Sequence, residues 1–536
     1  MKIKRSGIYI ILLLSATALL YGQFLWNPIV FDDMPFFMVD NAGNQPVSAY
    51  HFAWFELRSL PYATLAWGKA AFGLDMLHFR IENLLLHAAV ALALFFFLAR
   101  LFDAILGKRD ASLPSSQAMA FFAALLFALH PAAVYGAGYL VQRSIVMATM
   151  FSLLSMLAYV HGSVRQRPLW LWVSVPFYYL AVYSKEHAIM LPALLLALTV
   201  LLHQDGLAQI RRRWKTFVAL ALIGLSVLLV RKGLFGSVYE INAPEMLEKI
   251  DGGAHSYLLS ILTQSFLFFK YLLLWLLPNT AWISVDMREP FAGSLLSPYW
   301  FALLGFVLYG ALAFWLLLKR GKAGLFGFLL LFPWLFFMTE FSTVRIQESF
   351  VLYRSYLWMP GLLAIVPLLF MNMRTKPVFA ILGLISVLMF PLAWDRLTTF
   401  SHPLLLWDDA ARLVDGKPYL PGMERIYHNR GLQLSKTKLK QEAITDYTTA
   451  IRMKPNYSYV YNDRGAVYLE LQRYDEAMKD FDTVIALNPT YPNAYQGRAI
   501  VYEAWGNQQK ALENYRKSCE LGQRGCEKVI ELQKHG

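Results

Sequence analysis

Apolar residues come in long blocks from Gly7 to about Trp394, broken by short polar loops, and after Asp395 the chain turns polar and charged. A helix that crosses a bilayer needs about 20 apolar residues, or about 17 when short. That length fits 7–27, 81–103, 117–135, 139–160, 169–184, 187–203, 216–231, 299–318, 323–340, 356–372 and 377–394, eleven spans in all. A further apolar stretch, 257–278, is ambiguous by length alone. The pattern predicts an all-α chain: a polytopic membrane domain over 1–398, a linker over 399–423 and a soluble helical domain over 424–536.

The soluble part repeats. Three segments of 34 residues, 424–457, 458–491 and 492–525, align without gaps. The eighth position holds Gly431, Gly465 and Ala499, the twentieth Ala443, Ala477 and Ala511, and the twenty-fourth Tyr447, Phe481 and Tyr515. Small residues let paired helices approach, and the aromatic fills the gap to the next pair. This is the tetratricopeptide pattern. A last helix around Glu527 to Lys534 would cap the stack. The repeated aromatics are core, which leaves the concave face to bind a peptide or protein; a purely structural or dimerising array is the plainer alternative.

Only 16% of the 536 residues are charged, against 57% hydrophobic, where soluble domains run nearer a quarter charged. The formal net charge of +13 does not point to nucleic acid, because many of the cations sit in short loops between apolar blocks. Lys and Arg in such loops set membrane orientation. With the N-terminus inside, the inner loops hold Lys108/Arg109, Arg165/Arg167, Arg211–Arg213 with Lys215, Lys319/Arg320/Lys322 and Arg374/Lys376. This obeys the positive-inside rule only if 257–278 does not fully cross, so that stretch reads as an interfacial or re-entrant helix. The first block follows Lys2, Lys4 and Arg5, has no clear cleavage site, and reads as an uncleaved anchor. Eleven spans then put the repeats outside the cytoplasm. The two cysteines, Cys519 and Cys526, are either unrelated thiols or, in an oxidising compartment, one disulfide.

The outer loops and span ends collect a different set of side chains. It includes Asp32 and Asp33, Arg58, His78, Arg80, His130 and Arg143, then Lys185 and Glu186, Gln264, Asp286, Glu340, Arg345, Glu348 and Arg354. Ionisable groups at membrane depth are costly and are functional candidates by default. The plain alternative for each is a salt bridge tying span ends together. A transporter would gather its charges at the midplane, often in related halves; here they gather at one face, and the spans show no obvious internal symmetry.

Several pieces recur in a telling order: Phe31-Asp-Asp33; Leu126-Phe-Ala-Leu-His-Pro131 with Tyr139-Leu-Val-Gln-Arg143; Ser184-Lys-Glu-His187; Tyr257-Leu-Leu-Ser-Ile-Leu-Thr-Gln264; Ser284-Val-Asp286; Glu340-Phe-Ser-Thr343; and Tyr353-Arg-Ser-Tyr356. In order and spacing they resemble the bacterial GT-C glycosyltransferases that carry periplasmic tetratricopeptide repeats. More distantly they are similar to the eukaryotic transmembrane-and-TPR O-mannosyltransferases. The chain departs from that pattern at Ala132-Ala-Val-Tyr-Gly136, where relatives carry a Gln or Glu, and at Leu352-Tyr-Arg354, where they carry Glu-His-Arg.

The resemblance implies an inverting transferase of the bacterial inner membrane, with a cytoplasmic N-terminus and periplasmic repeats. It would move a sugar from a polyprenyl-phosphate lipid to a Ser or Thr hydroxyl of an exported protein, such as a pilin, docked by the repeats. Asp32 or Asp33 would be the base, taking the hydroxyl proton. Arg143, Lys185, Arg345, Arg354 and His130 would meet the lipid phosphate, whose developing charge needs cations and donors. Glu186, Arg58, His78, Gln264, Asp286, Glu340 and Glu348 would support them. The aromatic-rich segment 265–277 would line the isoprenoid tail. A Mg²⁺ or Mn²⁺ ion on Asp32, Asp33 and Asp286 is a further candidate. The rival readings are a transferase decorating an envelope glycan such as lipopolysaccharide or O-antigen, and a non-enzymatic membrane scaffold.

Overall fold

The computed structural model describes residues 2–38, 46–107, 109–231, 237–238, 255–346, 348–522 and 525–535. Lys108 of the inner loops and residues 523–524 of the third repeat lie outside them. The chain divides into two compact units, Met1–His402 and Pro403–Gly536. Both are helical; among the described residues the one extended pairing is a two-residue parallel contact of Ser237–Val238 with Thr343–Val344.

In the first unit, seven described helices are long and apolar enough to cross a membrane, or up to nine if each of two bent pairs is one span. The eleven expected spans are not all regular helices of that length. Expected span 169–184 is the 17-residue helix Pro168–Ser184, and 187–203 yields the 12-residue helix Leu191–Leu202. Expected span 356–372 breaks into Met359–Leu363 and Ile365–Leu369. Proline explains the break: Pro367 has no N–H to return to the carbonyl of Leu363. The core centres on the helix Ser116–Ala128, in which every residue but Gln117 is buried.

Contacts sort the helix ends of this unit into two faces. At one, Thr375 bonds Ser112, Arg109 bonds the carbonyl of Met371, and Arg213 bonds Ser163 and His203. These are the basic loops. At the other, Asn27 meets Leu397, Arg80 meets the carbonyls of Asn27 and Gly138, and Arg58 meets Glu186.

The stretch expected to be an interfacial or re-entrant helix forms Ser256–Leu276, a candidate span by length and composition that packs on Phe306 and Phe337. Ser260, Gln264 and Tyr271 donate to the carbonyls of Thr343, Ser349 and Val351, and Trp275 donates to the Ser355 hydroxyl. Segment 343–355 joins the end of the helix Gly321–Phe337 to the start of Met359–Leu363.

The second unit begins earlier than the sequence suggests. The expected linker 399–423 contains the helix Pro403–Val414, which buries Leu406, Trp407, Ala410, Ala411 and Val414. That one-sided stripe packs on the first repeat helix, Met423–Leu434. The helix pairs follow at 423–434 with 440–453, 458–470 with 474–487, and 492–504 with 508–522, then the end helix Cys526–His535. Their approach is close: a Cβ on Gly431 would stand 2.8 Å from the Tyr447 ring, and one on Gly465 3.0 Å from Phe481. Cys519 and Cys526 are joined, with Cα atoms 5.0 Å apart.

Candidate functional site

The first loop of the membrane unit is held from three sides. Arg80 donates to the carbonyls of Asn27, Pro28 and Gly138, which ties residues 27–28 to the turn before Arg143. Asp33 is fully buried, and its two carboxylate oxygens accept the backbone N–H groups of Leu140 (3.1 Å) and Val141 (2.8 Å). Phe31 takes a left-handed conformation, φ 46°, a strain of about 1–2 kcal/mol for a bulky residue. These anchors turn the two neighbouring carboxylates apart. Burial pushes the Asp33 carboxyl up to about 6, against the opposing pull of Arg80, the two N–H bonds and Arg143. Asp32 is half-buried, accepts from the Gln142 amide at 3.4 Å, and acts electrostatically on Lys185 and Tyr353.

Asp32 thus belongs with a cluster of cations. Arg58, Lys185, Arg231, Arg345 and Arg354 line a cavity of about 110 Å³ with His187, Tyr353, Glu186 and Glu348. The carboxylates there are shared. Glu186 accepts from both Arg58 and Arg231. Glu340, buried just behind, takes His187 Nε2 at 3.0 Å, Arg354 at 3.1 Å and Arg345 at 3.7 Å. Among the described residues Lys185 has no hydrogen bond or ion pair from its ammonium; the Tyr353 ring lies 5.7 Å away. Burial and the nearby Arg58 and Arg345 lower the Lys185 ammonium to about 7, opposed by Glu186 and Asp32. Among the described residues five cations gather here with the four carboxylates Asp32, Glu186, Glu340 and Glu348. Such a pocket can take an anion with several acceptor oxygens.

A second cavity, of about 510 Å³, adjoins the first. The two share Glu186, His187, Arg231 and Arg345. Its other walls are mostly apolar, with Ile189, Met190, Leu220, Leu225, Val227 and Leu228 among them beside Thr339, Ser342 and Thr343. A charged cavity therefore adjoins an oily one, on helices whose outer faces, such as Leu222 and Leu229, are exposed. The expected lining, 265–277, is elsewhere: Phe268, Tyr271 and Trp275 pack in the core against Phe337, Phe350 and Trp358.

Other side chains singled out from the sequence stand apart from the cavity. Arg143 is buried and spends its donors on Asn83 (2.8 Å), Glu82 (2.7 Å), Thr64 (3.2 Å) and the Phe79 carbonyl (3.3 Å), so it locks helices rather than facing an anion. His130 accepts the Ala132 N–H on Nδ1, bonds the Trp275 carbonyl through Nε2 and stacks on that indole. With both nitrogens used, it is a cap. His78 stacks on Phe72 beside Asp75. Gln264 positions the Ser349 carbonyl, and Asp286 pairs with Arg288 at 2.6 Å. Asp32, Asp33 and Asp286 do not converge as ligands, since Asp33 is bonded to backbone N–H groups and Asp286 to Arg288. Among the described residues no group of three His, Cys, Asp or Glu forms a metal-ligand set, so the residues do not fit the expected Mg²⁺ or Mn²⁺ site.

Arg231, His187, Tyr353 and Gln142 were not among the expected site residues. A cation ending the apolar run 216–231 was a usable signal for Arg231.

Two tetratricopeptide repeat family models match the chain, at residues 424–457 and 458–491. The C-terminal region is a tetratricopeptide-repeat array. Arrays of this kind present concave surfaces to peptides or proteins. Among solved structures, the chain is similar to the first TPR of Spaghetti (RPAP3) bound to HSP90 peptide SRMEEVD, at 22% identity over 21% of this chain and 91% of that one, TM-score 0.20. It is similar to the Arabidopsis OM64 TPR domain, at 23% identity over 21% and 97%, TM-score 0.21. A third is MamA 41-end from Desulfovibrio magneticus RS-1, at 19% identity over 25% and 84%, TM-score 0.21. None of the curated proteins matches the chain.

Proposed function

We propose that this protein is an inverting GT-C glycosyltransferase of the bacterial inner membrane. It takes a sugar from a polyprenyl-phosphate lipid and passes it to a Ser or Thr hydroxyl of an exported protein, such as a pilin. The observation that carries the reading is a pair of adjoining cavities: a cationic pocket and a largely apolar chamber that share Glu186, His187, Arg231 and Arg345 as lining. An amphiphile with an anionic head and an isoprenoid tail fits both parts at once.

In this reading Asp32 is the base. The acceptor oxygen attacks the anomeric carbon, its proton goes to the Asp32 carboxylate, and the bond from that carbon to phosphate oxygen breaks with its electron pair on the leaving polyprenyl phosphate. Lys185 and Arg345, with Arg58 and Arg354 close by, meet the charge that develops there. Asp33 is a positioning residue: it fixes the loop so that Asp32 points to the cations. Glu340 holds Arg345, Arg354 and His187 in place. The repeats bind the acceptor protein and raise its effective concentration at the membrane unit by tethering, which favours a protein acceptor over an envelope glycan.

Intact-mass spectrometry of exported proteins, pilins included, tests this in cells carrying wild type or Asp32→Asn. Loss of a sugar-sized mass from an exported protein in the variant is the expected result. Unchanged masses in all of them would overturn the protein acceptor, and an unchanged envelope glycan as well would overturn the transferase.

A further inference from the structure

The face that carries the basic loops has its own cavity, of about 340 Å³. It is lined by the ends of four helices, Met76–Leu106, Ser116–Ala128, Arg143–Arg165 and Pro168–Ser184. Its polar lining is Arg100, Asp103, Gln117 and His161. Among the described residues none of these four side chains makes a hydrogen bond or ion pair, and Arg100 Nε is buried without a partner. Asp103 is exposed and Arg100, Gln117 and His161 are half-buried; the buried Arg100 Nε is the unusual one, because buried polar atoms are nearly always satisfied.

The charge of the space is positive. Arg100, Arg165 and Arg167 all act electrostatically on His161, while Asp103 is the one carboxylate in the lining. The surroundings are those of a membrane–water boundary. Trp170 packs on His161 with ring centroids 4.8 Å apart, and Phe96, Leu169 and Trp172 are exposed. Trp rings and exposed apolar side chains beside Arg mark the headgroup level of a bilayer.

We infer that this cavity is a binding site for an anionic phospholipid, whose phosphate meets Arg100, Gln117 and His161 and whose acyl chains meet Phe96, Leu169 and Trp172. The site shares no residue with the cationic pocket around Lys185 and lies at the opposite helix ends. It rests on the membrane reading of the first unit and not on transferase activity.

The test uses the full chain purified in detergent and exposed to phosphatidylglycerol or phosphatidylcholine, with bound lipid counted by native mass spectrometry. Wild type should retain phosphatidylglycerol in preference. Arg100→Gln should weaken that retention about tenfold or more, the scale of a charged hydrogen bond. Arg374→Gln, a cation on the same face outside the cavity, should leave it unchanged. Ala99→Trp, which fills the cavity without altering charge, should reproduce the loss and serves if Arg100→Gln does not fold. Equal retention of the two lipids, or a wild-type count in both cavity variants, would overturn the inference. So would Arg374→Gln matching Arg100→Gln, which is bulk attraction. If inorganic phosphate alone raised the unfolding temperature as far as phosphatidylglycerol does, the ligand would be soluble phosphate and the lipid assignment would fall.

Discussion

Both units are laced with Arg–carboxylate pairs, and the pairs differ in stoichiometry. In the repeat array they recur with the 34-residue period, and the carboxylates match the cations: Arg430 takes Asp446 and also Asp408, which Arg412 shares, and Arg498 takes Asp482. Arg430 clasps both oxygens of Asp446 at 2.7 Å, and Arg464 clasps Asp480 at 2.8 and 2.7 Å, one 34-residue period on. In the third repeat Arg498 meets Asn514 at 2.8 Å. Each Arg is also stacked on a tyrosine of its own helix, Tyr427, Tyr461 or Tyr495. Every donor fork has its acceptor, so these pairs are architecture. In the membrane unit Glu186 and Glu340 are each shared by several cations, and among the described residues Lys185 pairs with no carboxylate. Matched charge marks a joint; cations that share their carboxylates around a cavity are what the proposed anion site calls for.

The largest effect should come from the carboxylate that faces those cations. Asp32→Asn should lower sugar transfer about 10²- to 10⁴-fold, the usual share of a general base, with the unfolding temperature near wild type. Asp33→Asn should do the reverse. An amide would set its NH₂ against the N–H of Leu140 or Val141, so thermal unfolding should show the greater change. Equal loss of transfer in two equally stable variants would erase the distinction between the carboxylates.

Glu340→Gln comes next. Removing a buried carboxylate from among Arg345, Arg354 and His187 leaves positive charge uncompensated, a cost of about 3–5 kcal/mol. Asp480→Asn in the array should cost about 1–2 kcal/mol, because Arg464 is partly exposed and can turn to water. Calorimetry on each variant would compare the two; equal losses would mean that sharing a carboxylate carries no special weight.

A third variant separates docking from chemistry. In Gly465→Val the new Cβ would meet the Phe481 ring at 3.0 Å, and overpacking of that kind costs about 1–3 kcal/mol. Transfer to a whole exported protein should fall several-fold while transfer to a short Ser/Thr peptide holds. A parallel fall in both would tie the array to the chemistry itself.

The same contrast explains what the sequence makes legible. The array could be read because its period sets each contact: Gly431 and Gly465 sit under Tyr447 and Phe481 as the 34-residue register requires. Helix-end alternation likewise brings Asp32, Arg58, Lys185, Glu186, Arg345, Glu348 and Arg354 to one neighbourhood. It cannot assign partners. Arg143 and Arg345 look alike in sequence, and only tertiary contact gives the first to Asn83 and Glu82 and the second to the cavity. Nor can apolar runs tell a lipid-facing wall from core, which is why the oily chamber lies along 189–228 and not 265–277. Pro403–Val414 was legible, since its buried residues fall on one helical stripe, but its polar flanks read as linker.

The smallest effect, and the sharpest probe of the cation cluster, concerns Lys185. Its ammonium titrates near 7 in the folded protein, below the ordinary lysine value, because burial and Arg58 disfavour the charge. Lysine's contribution to stability is therefore full above the unfolded value and is lost as pH falls through about 7. Binding runs the other way: the lipid phosphate needs the charged form, so kcat/KM for the donor should decline as pH rises past about 7. Arginine stays charged throughout. Lys185→Arg should cost a few-fold at neutral pH, where its bulk must fit beside Tyr353, and should flatten the alkaline decline. A wild-type profile that shows no decline, or one that Lys185→Arg leaves in place, would mean that Lys185 is not the cation the phosphate meets, and that role would have to be assigned to the arginines around Glu340.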